Sequence, residues 1–482
     1  MNHLNPEREQ VNHYGKDRVL VPHIDTDYLV VGAGASGMAF ADSLLQHSDA
    51  DIVMVDRRHL PGGHWHDAYP FVRLHQAAAC YGVSSTDLGK DRIDFSGHNT
   101  GMYELSSAPE ICSYFAEVLN RVLLPSGRVS FLGMTEFQER EPGQYTLVSL
   151  LTGEETTVHV RRRLVDATYI EPDIPSRRRP AFQVEPEVTL VAPNDLVDLA
   201  GGPHGFTVLG AGKTAMDVCT WLLEHGVDPG SISWVRSRDG WFIDRAWTQP
   251  LDLVHTRVRY QGLWVQAAAE ASSGSDLAHR VEDAGLFCRL DRSVEPTAFR
   301  GATISQSELS GLASIRRVSR SGRVKRIDST GIDFDGGREA RPRGEVYVDC
   351  TATGIRHITP KPAFEPGRLT LQYVTPGYAC WSAATLAVVE ATRQRDDEKN
   401  YLSLPVVYTG RVEDLLSFTS AFLQSAARRE AEPDIAAWSR RSRLNPARGL
   451  EERREKPEVG AELDRLEHWR EKALTRLMGP GD

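Results

Sequence analysis

The chain has 482 residues, enough for about three domains at roughly 150 residues each, which excludes a small stapled module. Its 56 Lys and Arg against 66 Asp and Glu give a formal net charge of −10, so no global cationic field exists to attract nucleic acid or an anionic membrane. At 40% hydrophobic and 25% charged residues, the composition is that of a soluble globular protein and excludes wholesale disorder.

Residues 1–26 read as a polar leader without an apolar segment, and no stretch approaches 18 uncharged apolar residues. A soluble, cytoplasmic protein is expected. Asp27-Tyr-Leu-Val-Val-Gly32 then predicts a buried strand, Ser36 to Gln46 a helix with Met38, Phe40 and Leu44 inward, and Ile52-Val-Met-Val-Asp56 a second strand. This is the βαβ opening of a parallel α/β sheet. Gly32-Ala-Gly34-Ala-Ser36-Gly37 fills its turn with G-x-G-x-x-G. Gly32 permits the tight turn, Gly34 lets backbone approach a pyrophosphate, Gly37 brings helix to strand, and the helix N-terminus offers free N–H groups to the phosphates. Asp56 stands 24 residues after Gly32, where a carboxylate accepts from ribose hydroxyls, with Arg57 beside it.

Strands are expected over Val129 to Phe137, Tyr145 to Leu151 and Leu164 to Thr168, and the Pro- and Arg-rich Glu171 to Pro180 suits an interdomain crossing. The opening pattern then returns. Phe206 to Gly210 is a strand, Thr214 to His225 a helix, and Ile232 to Arg236 a strand, around Gly210-Ala-Gly212-Lys213-Thr214-Ala215, the G-x-G-x-x-A variant. The second strand here ends in Arg236-Ser-Arg238 in place of an acid, which suits a 2′-phosphate unless Asp239 neutralises the pair. More strands follow at Arg316 to Ile332 and Val346 to Cys350, and Val412 to Leu477 is charged and helical.

Six cysteines lack any C-x-x-C pair, and His59, His64, His66 and His75 lack a carboxylate at helical spacing, so no metal site is expected. No G-x-S-x-G elbow, H-E-x-x-H pair or P-loop spacing occurs.

Directly after Asp56 come Pro61-Gly62-Gly63-His64-Trp65, Tyr69-Pro70 and Arg73-Leu-His75-Gln76, and further on Thr351-Ala-Thr-Gly354. With both glycine fingerprints, in this order over Asp27 to Ile355, the chain resembles the class B flavin monooxygenases, which include flavin-containing monooxygenases, amine N-hydroxylases and Baeyer–Villiger enzymes. The resemblance implies two Rossmann-like domains. The FAD domain would cover 27–175 and 335–411, the NADPH domain 176–334 with an insertion at 241–308, and a helical tail 412–482. It implies that Gly63, His64 and Trp65 lie near the flavin, that Met134 offers backbone to the adenine, that Gln76 and Arg73 serve the reacting centre, and that Gly354 closes the NADP domain.

It also implies FAD and NADPH as cofactors and O₂ with a small molecule as substrates, oxygen being transferred from a C4a-(hydro)peroxide of the flavin. A homo-oligomer is compatible with the sequence. The Val188 to Leu196 region lacks the F-x-G-x-x-x-H segment of the Baeyer–Villiger group, and the first hinge reads Ala167-Thr-Tyr169 with tyrosine for glycine. An amine nitrogen of an amino-acid-like metabolite is therefore the preferred target, sulfur second and ketones third. Arg73, Arg289, Arg292 and Arg300 are candidates for a substrate carboxylate, with contacts expected from Trp241 to Glu308. Two other classes fit the motifs: an NAD(P)H:acceptor reductase that transfers no oxygen, and a non-enzymatic redox sensor with the tail as partner surface.

Overall fold

Strand β1 (His23–Val31) is central to the first sheet because its neighbours on both sides run parallel to it: β2 (Ile52–Val55) with β3 (Val129–Leu132) beyond, and β6 (Glu155–Asp166). The computed structural model describes residues 22–200, 202–354 and 358–478. Residues 1–21 of the expected leader, and Ile355, lie outside them, while 23–26 already belong to β1. The apolar run of β1 is unbroken because both faces are covered. Tyr28 and Val30, with Ile52 and Met54, face helix α1 (Ala35–His47), whereas Leu29, Val53 and Val55 face the antiparallel ribbon β4 (Thr135–Glu141) and β5 (Gln144–Ser149). Met38, Phe40 and Leu44 of α1 are fully buried, each contributing roughly 1.5–3 kcal/mol of burial energy. The strand expected over 129–137 is split at Gly133-Met134, where Met134 takes φ +52°.

The second body has an all-parallel sheet. Its central strand β7 (Gly205–Leu209) leads into α2 (Lys213–Glu224) and pairs with β8 (Ile232–Val235). A third body follows, built on β9 (Gly240–Asp244), α3 (Val254–Glu270) and β10 (Ala298–Ile304), after which α4 (Gln306–Leu312) packs on the core of the second. The chain then returns to the second sheet with β11 (Glu345–Asp349), which pairs with β7, and to the first with β12 (Arg368–Thr370), which pairs with β6 and leads into α5 (Ala379–Thr392) along α1. The expected boundary at 334/335 is thus too early. It falls between two strands of one hairpin, and the second body keeps the chain until Asp349 because β11 is needed beside β7.

The helical tail packs on two bodies of the chain. Its helices α6 (Leu415–Glu430) and α8 (Pro457–Met478) share apolar clusters with the insertion, where Val265 of α3, Leu423 of α6 and Ala473 of α8 meet, while Ile435 of α7 (Pro433–Arg441) is buried in the core of the first body. Trp438 of α7 stacks on Trp381 of α5 at 4.8 Å, which binds the tail to the first body as well. No described helix is long and apolar enough to cross a membrane.

Candidate functional site

The first fingerprint is closed by backbone. Gly32 (φ +101°) turns β1 into α1, and a Cβ on Gly37 would stand 2.0 Å from the Gly32 carbonyl oxygen. A Cβ on Gly63 would stand 2.9 Å from the Gly34 Cα, so the two glycine loops meet with no room for side chains. Helix α1 has neither a side-chain N-cap nor an acid in its first turn, and Ser36 lies buried there, leaving first-turn N–H groups for an anion. Asp56 accepts from the Ala33 N–H and the Arg58 N–H, both at 2.8 Å, which keeps one lone pair on each oxygen for a ribose. These features fit the pyrophosphate and ribose of FAD.

Around Gly63 the chain makes a short 3₁₀ turn. His64 stacks on Trp65 at 5.0 Å, and Trp65 Nε1 donates to Tyr81 Oη at 2.7 Å. Burial and the Arg58 charge bring the His64 imidazole down to about 4, so it is neutral at physiological pH. The Gln76 carboxamide is half-buried and has no hydrogen-bond partner among the described residues. Arg57 is exposed, 3.5 Å from Glu136. Two expectations need correction. Arg73 is exposed and donates to the Leu105 carbonyl at 3.0 Å, stapling two loops on the outside. The Met134 N–H donates to the Arg58 carbonyl at 3.1 Å and its carbonyl accepts from Leu150 at 2.8 Å, so its backbone serves the β3–β4 break first.

In the second fingerprint Gly210 (φ +130°) lies against Cys350, where a Cβ would be 2.6 Å from the carbonyl oxygen, whereas a Cβ on Gly212 would meet nothing within 4 Å. Ala215 is fully buried, so the methyl that replaces the third glycine is accommodated. Helix α2, with the half-buried Thr214 in its first turn, also lacks a side-chain cap and a first-turn acid. Lys213 departs from expectation: its Nζ is buried between Asp217 and Glu308 and its charge is spent there.

Arg236 departs too. It is 3% exposed, lies 4.9 Å over the Trp234 ring and pairs with Asp239 at 3.2 Å, so it supports the strand end from inside. Arg238 is exposed, and the group beside it is Arg300, whose guanidinium is held below its ordinary value by burial and by the Arg238 charge. Arg300, expected at a substrate, therefore belongs to the cationic edge after β8; its Nη1 donates to the Thr353 carbonyl at 2.6 Å. Arg289 is spent on Glu282 at 2.7 Å.

The two crossings between the bodies are built alike. Asp166 Oδ1 accepts from the Thr168 N–H and hydroxyl at 2.9 and 2.7 Å, and Asp349 Oδ1 from those of Thr351 at 2.9 and 2.6 Å. Gly354 (φ +62°) accepts from the Asp173 N–H at 2.9 Å, and Tyr169, in place of the usual glycine, donates to the Thr359 carbonyl at 2.6 Å.

All three bodies meet in one buried polar network. Tyr69 Oη donates to Asp217 Oδ2 at 2.6 Å, His75 Nε2 lies 3.5 Å from the same oxygen, and the His75 carbonyl accepts from Thr303 of β10 at 2.5 Å. Glu308 of α4 takes Lys213 at 2.9 Å and Arg245 at 2.6 Å, and Arg245 donates to Asn99 of the first body at 3.1 Å. Against the pull of burial, Lys213 and Arg245 hold the Glu308 carboxyl down to about 2, and Lys213 holds Asp217 well below the usual carboxylate range. No local motif announces these partners; only Lys213 and Asp217, one turn apart on α2, were readable as a pair.

Residues 30–83 match the model of the NAD(P)-binding Rossmann-like domain family. The chain is 44% identical over 423 residues to uncharacterized proteins of Mycobacterium tuberculosis (strain H37Rv) and Mycobacterium bovis, covering 88% of this chain and 78% of theirs. Among solved structures it is similar to the polycyclic ketone monooxygenase of the thermophilic fungus Thermothelomyces thermophila, with a TM-score of 0.50 and 11% identity over 95% of this chain and 90% of that one. That likeness is one of fold: two Rossmann-like bodies with an added helical part.

Proposed function

The chain belongs to the family of these mycobacterial proteins, and for it we propose an FAD- and NADPH-dependent monooxygenase acting on a small molecule. The observation that carries this reading is the pair of uncapped fingerprint helices, α1 and α2, in two parallel-sheet bodies of one chain, linked through Tyr69 and Asp217. Ligands of open α/β sheets bind outside the carboxyl ends of the strands, where both glycine loops lie. Bound together, FAD and NADPH supply hydride transfer and oxygen activation.

The residues divide the work. Gly34, Ser36 and Gly37 seat the FAD pyrophosphate and Asp56 its ribose, while Gly63 allows the close approach of the second loop. His64, neutral, and Trp65 flank the flavin, and the Gln76 carboxamide offers a donor and an acceptor at the reacting centre. Gly210, Gly212 and Thr214 seat the NADPH pyrophosphate, and Arg238 with Arg300 takes the 2′-phosphate. Water exclusion falls to the Trp65–Tyr81 pair and the Tyr69–Asp217 junction.

An amine nitrogen is the preferred oxygen acceptor, supported by the missing F-x-G-x-x-x-H segment. The test is direct. Purified protein is expected to carry flavin, to oxidise NADPH in air, and to divert oxygen from peroxide into product when an amine substrate is supplied. Absence of bound flavin sinks the reading, and stoichiometric peroxide with every candidate substrate reduces it to a reductase.

A further inference from the structure

Arg257 of α3 is 7% exposed and forms no ion pair with any described residue. Its Nη1 donates to Tyr378 Oη at 2.7 Å, its guanidinium lies 5.0 Å over the Tyr378 ring, and its Nε has no partner. A buried cation is normally matched by a carboxylate or saturated with carbonyls, because its desolvation is otherwise unrepaid. Arg245 has Glu308, and Arg429 donates to the carbonyls of Leu402 and Val374 and to Ser425 Oγ. Arg257 has neither arrangement.

Three more tyrosines lie nearby: Tyr260, one turn further along α3, and Tyr408 pack on one apolar cluster of the insertion, and Tyr373 lies five residues before Tyr378. Tyr260, Tyr373 and Tyr408 are half-buried, and none of their hydroxyls has a hydrogen-bond partner among the described residues. Burial pushes the Tyr373 phenol up to about 12 and those of Tyr260 and Tyr408 upward as well, so all remain neutral donors. Among the described residues, Arg257 is thus accompanied by four phenols and by no carboxylate paired with it.

Its position is telling. Tyr378 is the N-cap residue of α5, reached by the segment that leaves β12 at the sheet edge where the Gly32–Gly37 loop leaves β1. Tyr373 contributes to the upward shift of the Tyr81 phenol, and Tyr81 holds Trp65. Through Tyr378, Arg257 thus joins the insertion to the first body.

We propose that Arg257 with Tyr260, Tyr373, Tyr378 and Tyr408 forms the substrate site, and that it takes a small monocarboxylate with an aromatic or apolar body. The carboxylate supplies the missing counter-charge in fork geometry, the phenol hydroxyls donate to it, and the rings enclose the body. Naming the occupant a substrate rests on the monooxygenase reading; the recognition of a carboxylate does not.

The full chain is titrated with benzoate and phenylacetate, and with benzamide and phenylacetamide as neutral controls, by tryptophan fluorescence and thermal shift, without NADPH. The acids are expected to bind at least tenfold more tightly than the amides. Arg257→Gln should abolish that preference while keeping or raising the ligand-free Tm, because an unpaired buried charge is removed; Arg257→Lys, which keeps the charge and loses the fork, should retain part of it. Equal binding of acids and amides, or an acid preference that survives in Arg257→Gln, overturns the proposal. Lack of bound flavin or of oxygen transfer would count against the monooxygenase reading alone, and acid–amide indifference in protein that oxidises NADPH against this site alone.

Discussion

Tyr69 Oη donates to Asp217 Oδ2 at 2.6 Å across 148 residues of sequence, joining the loop that follows the first fingerprint to the helix that begins in the second. Both partners are inside, and the phenol is raised well above its ordinary value by burial and by the Asp217 charge, so it donates at every working pH. Asp217 also answers Lys213 and lies near His75, so one carboxylate registers groups from both dinucleotide bodies.

Tyr69→Phe removes that donor and leaves the ring. A hydrogen bond to a buried charge contributes roughly 1.5–3 kcal/mol, so the variant should unfold at lower urea. If the bond also sets the approach of the two bodies, NADPH oxidation slows more than NADPH binding weakens. Unchanged kcat with a lowered Tm would reduce the bond to a structural role.

The glycines of the two fingerprints should answer differently to alanine. Gly37→Ala drives a Cβ to 2.0 Å from the Gly32 carbonyl oxygen and should destabilise by about 3 kcal/mol or more. Gly212→Ala meets nothing within 4 Å and should change stability by less than about 0.5 kcal/mol, yet its methyl occupies the approach to the loop. NADPH affinity should then fall about tenfold or more, equivalent to roughly 1.4 kcal/mol. Equal behaviour of the two variants in thermal melts would contradict the packing described.

The cationic edge after β8 yields a third contrast. Arg238→Ala should erode the preference for NADPH over NADH about tenfold without lowering the Tm, since the side chain is exposed. Arg236→Ala removes a guanidinium stacked on Trp234 and paired with Asp239, and should lower the Tm first. Coenzyme preference that changes with Arg236 and ignores Arg238 would reverse the assignment.

The fingerprints were legible because their logic is local: a strand, a glycine turn and a helix start lie within a few residues, and backbone contact leaves no alternative residue type. The position of Asp56, at the end of β2 beside that turn, was legible for the same reason. Arg236 and Arg238 were not separable, because their fates depend on Trp234 below and Arg300 from another body. Lys213 was misjudged since Glu308, its second carboxylate, arrives from 95 residues away. Which body the tail packs on was not legible, because the pairing of α3 with α8 has no motif, only an apolar face on each. The setting of Arg257 was hidden most completely, for the tyrosines near it come from three separate segments.

Acid should strain the junction before the sheets. The folded-state value of Glu308, about 2, lies below the ordinary value of 4.5, so its contribution to stability is complete above about pH 4.5 and disappears as the pH falls toward 2. At 1.36 kcal/mol per pKa unit this amounts to roughly 3 kcal/mol, and Asp217, depressed by Lys213 in the same network, adds in the same direction. Glu308→Gln should therefore lower stability at neutral pH, since Lys213 keeps Asp217 while Arg245 loses its carboxylate, and should flatten the slope of stability against pH between about 4.5 and 2. Urea melts across that range measure both effects. A variant with the parent slope would place the acid-sensitive groups elsewhere, and one with the parent stability at neutral pH would mean that the pairing merely offsets its own desolvation.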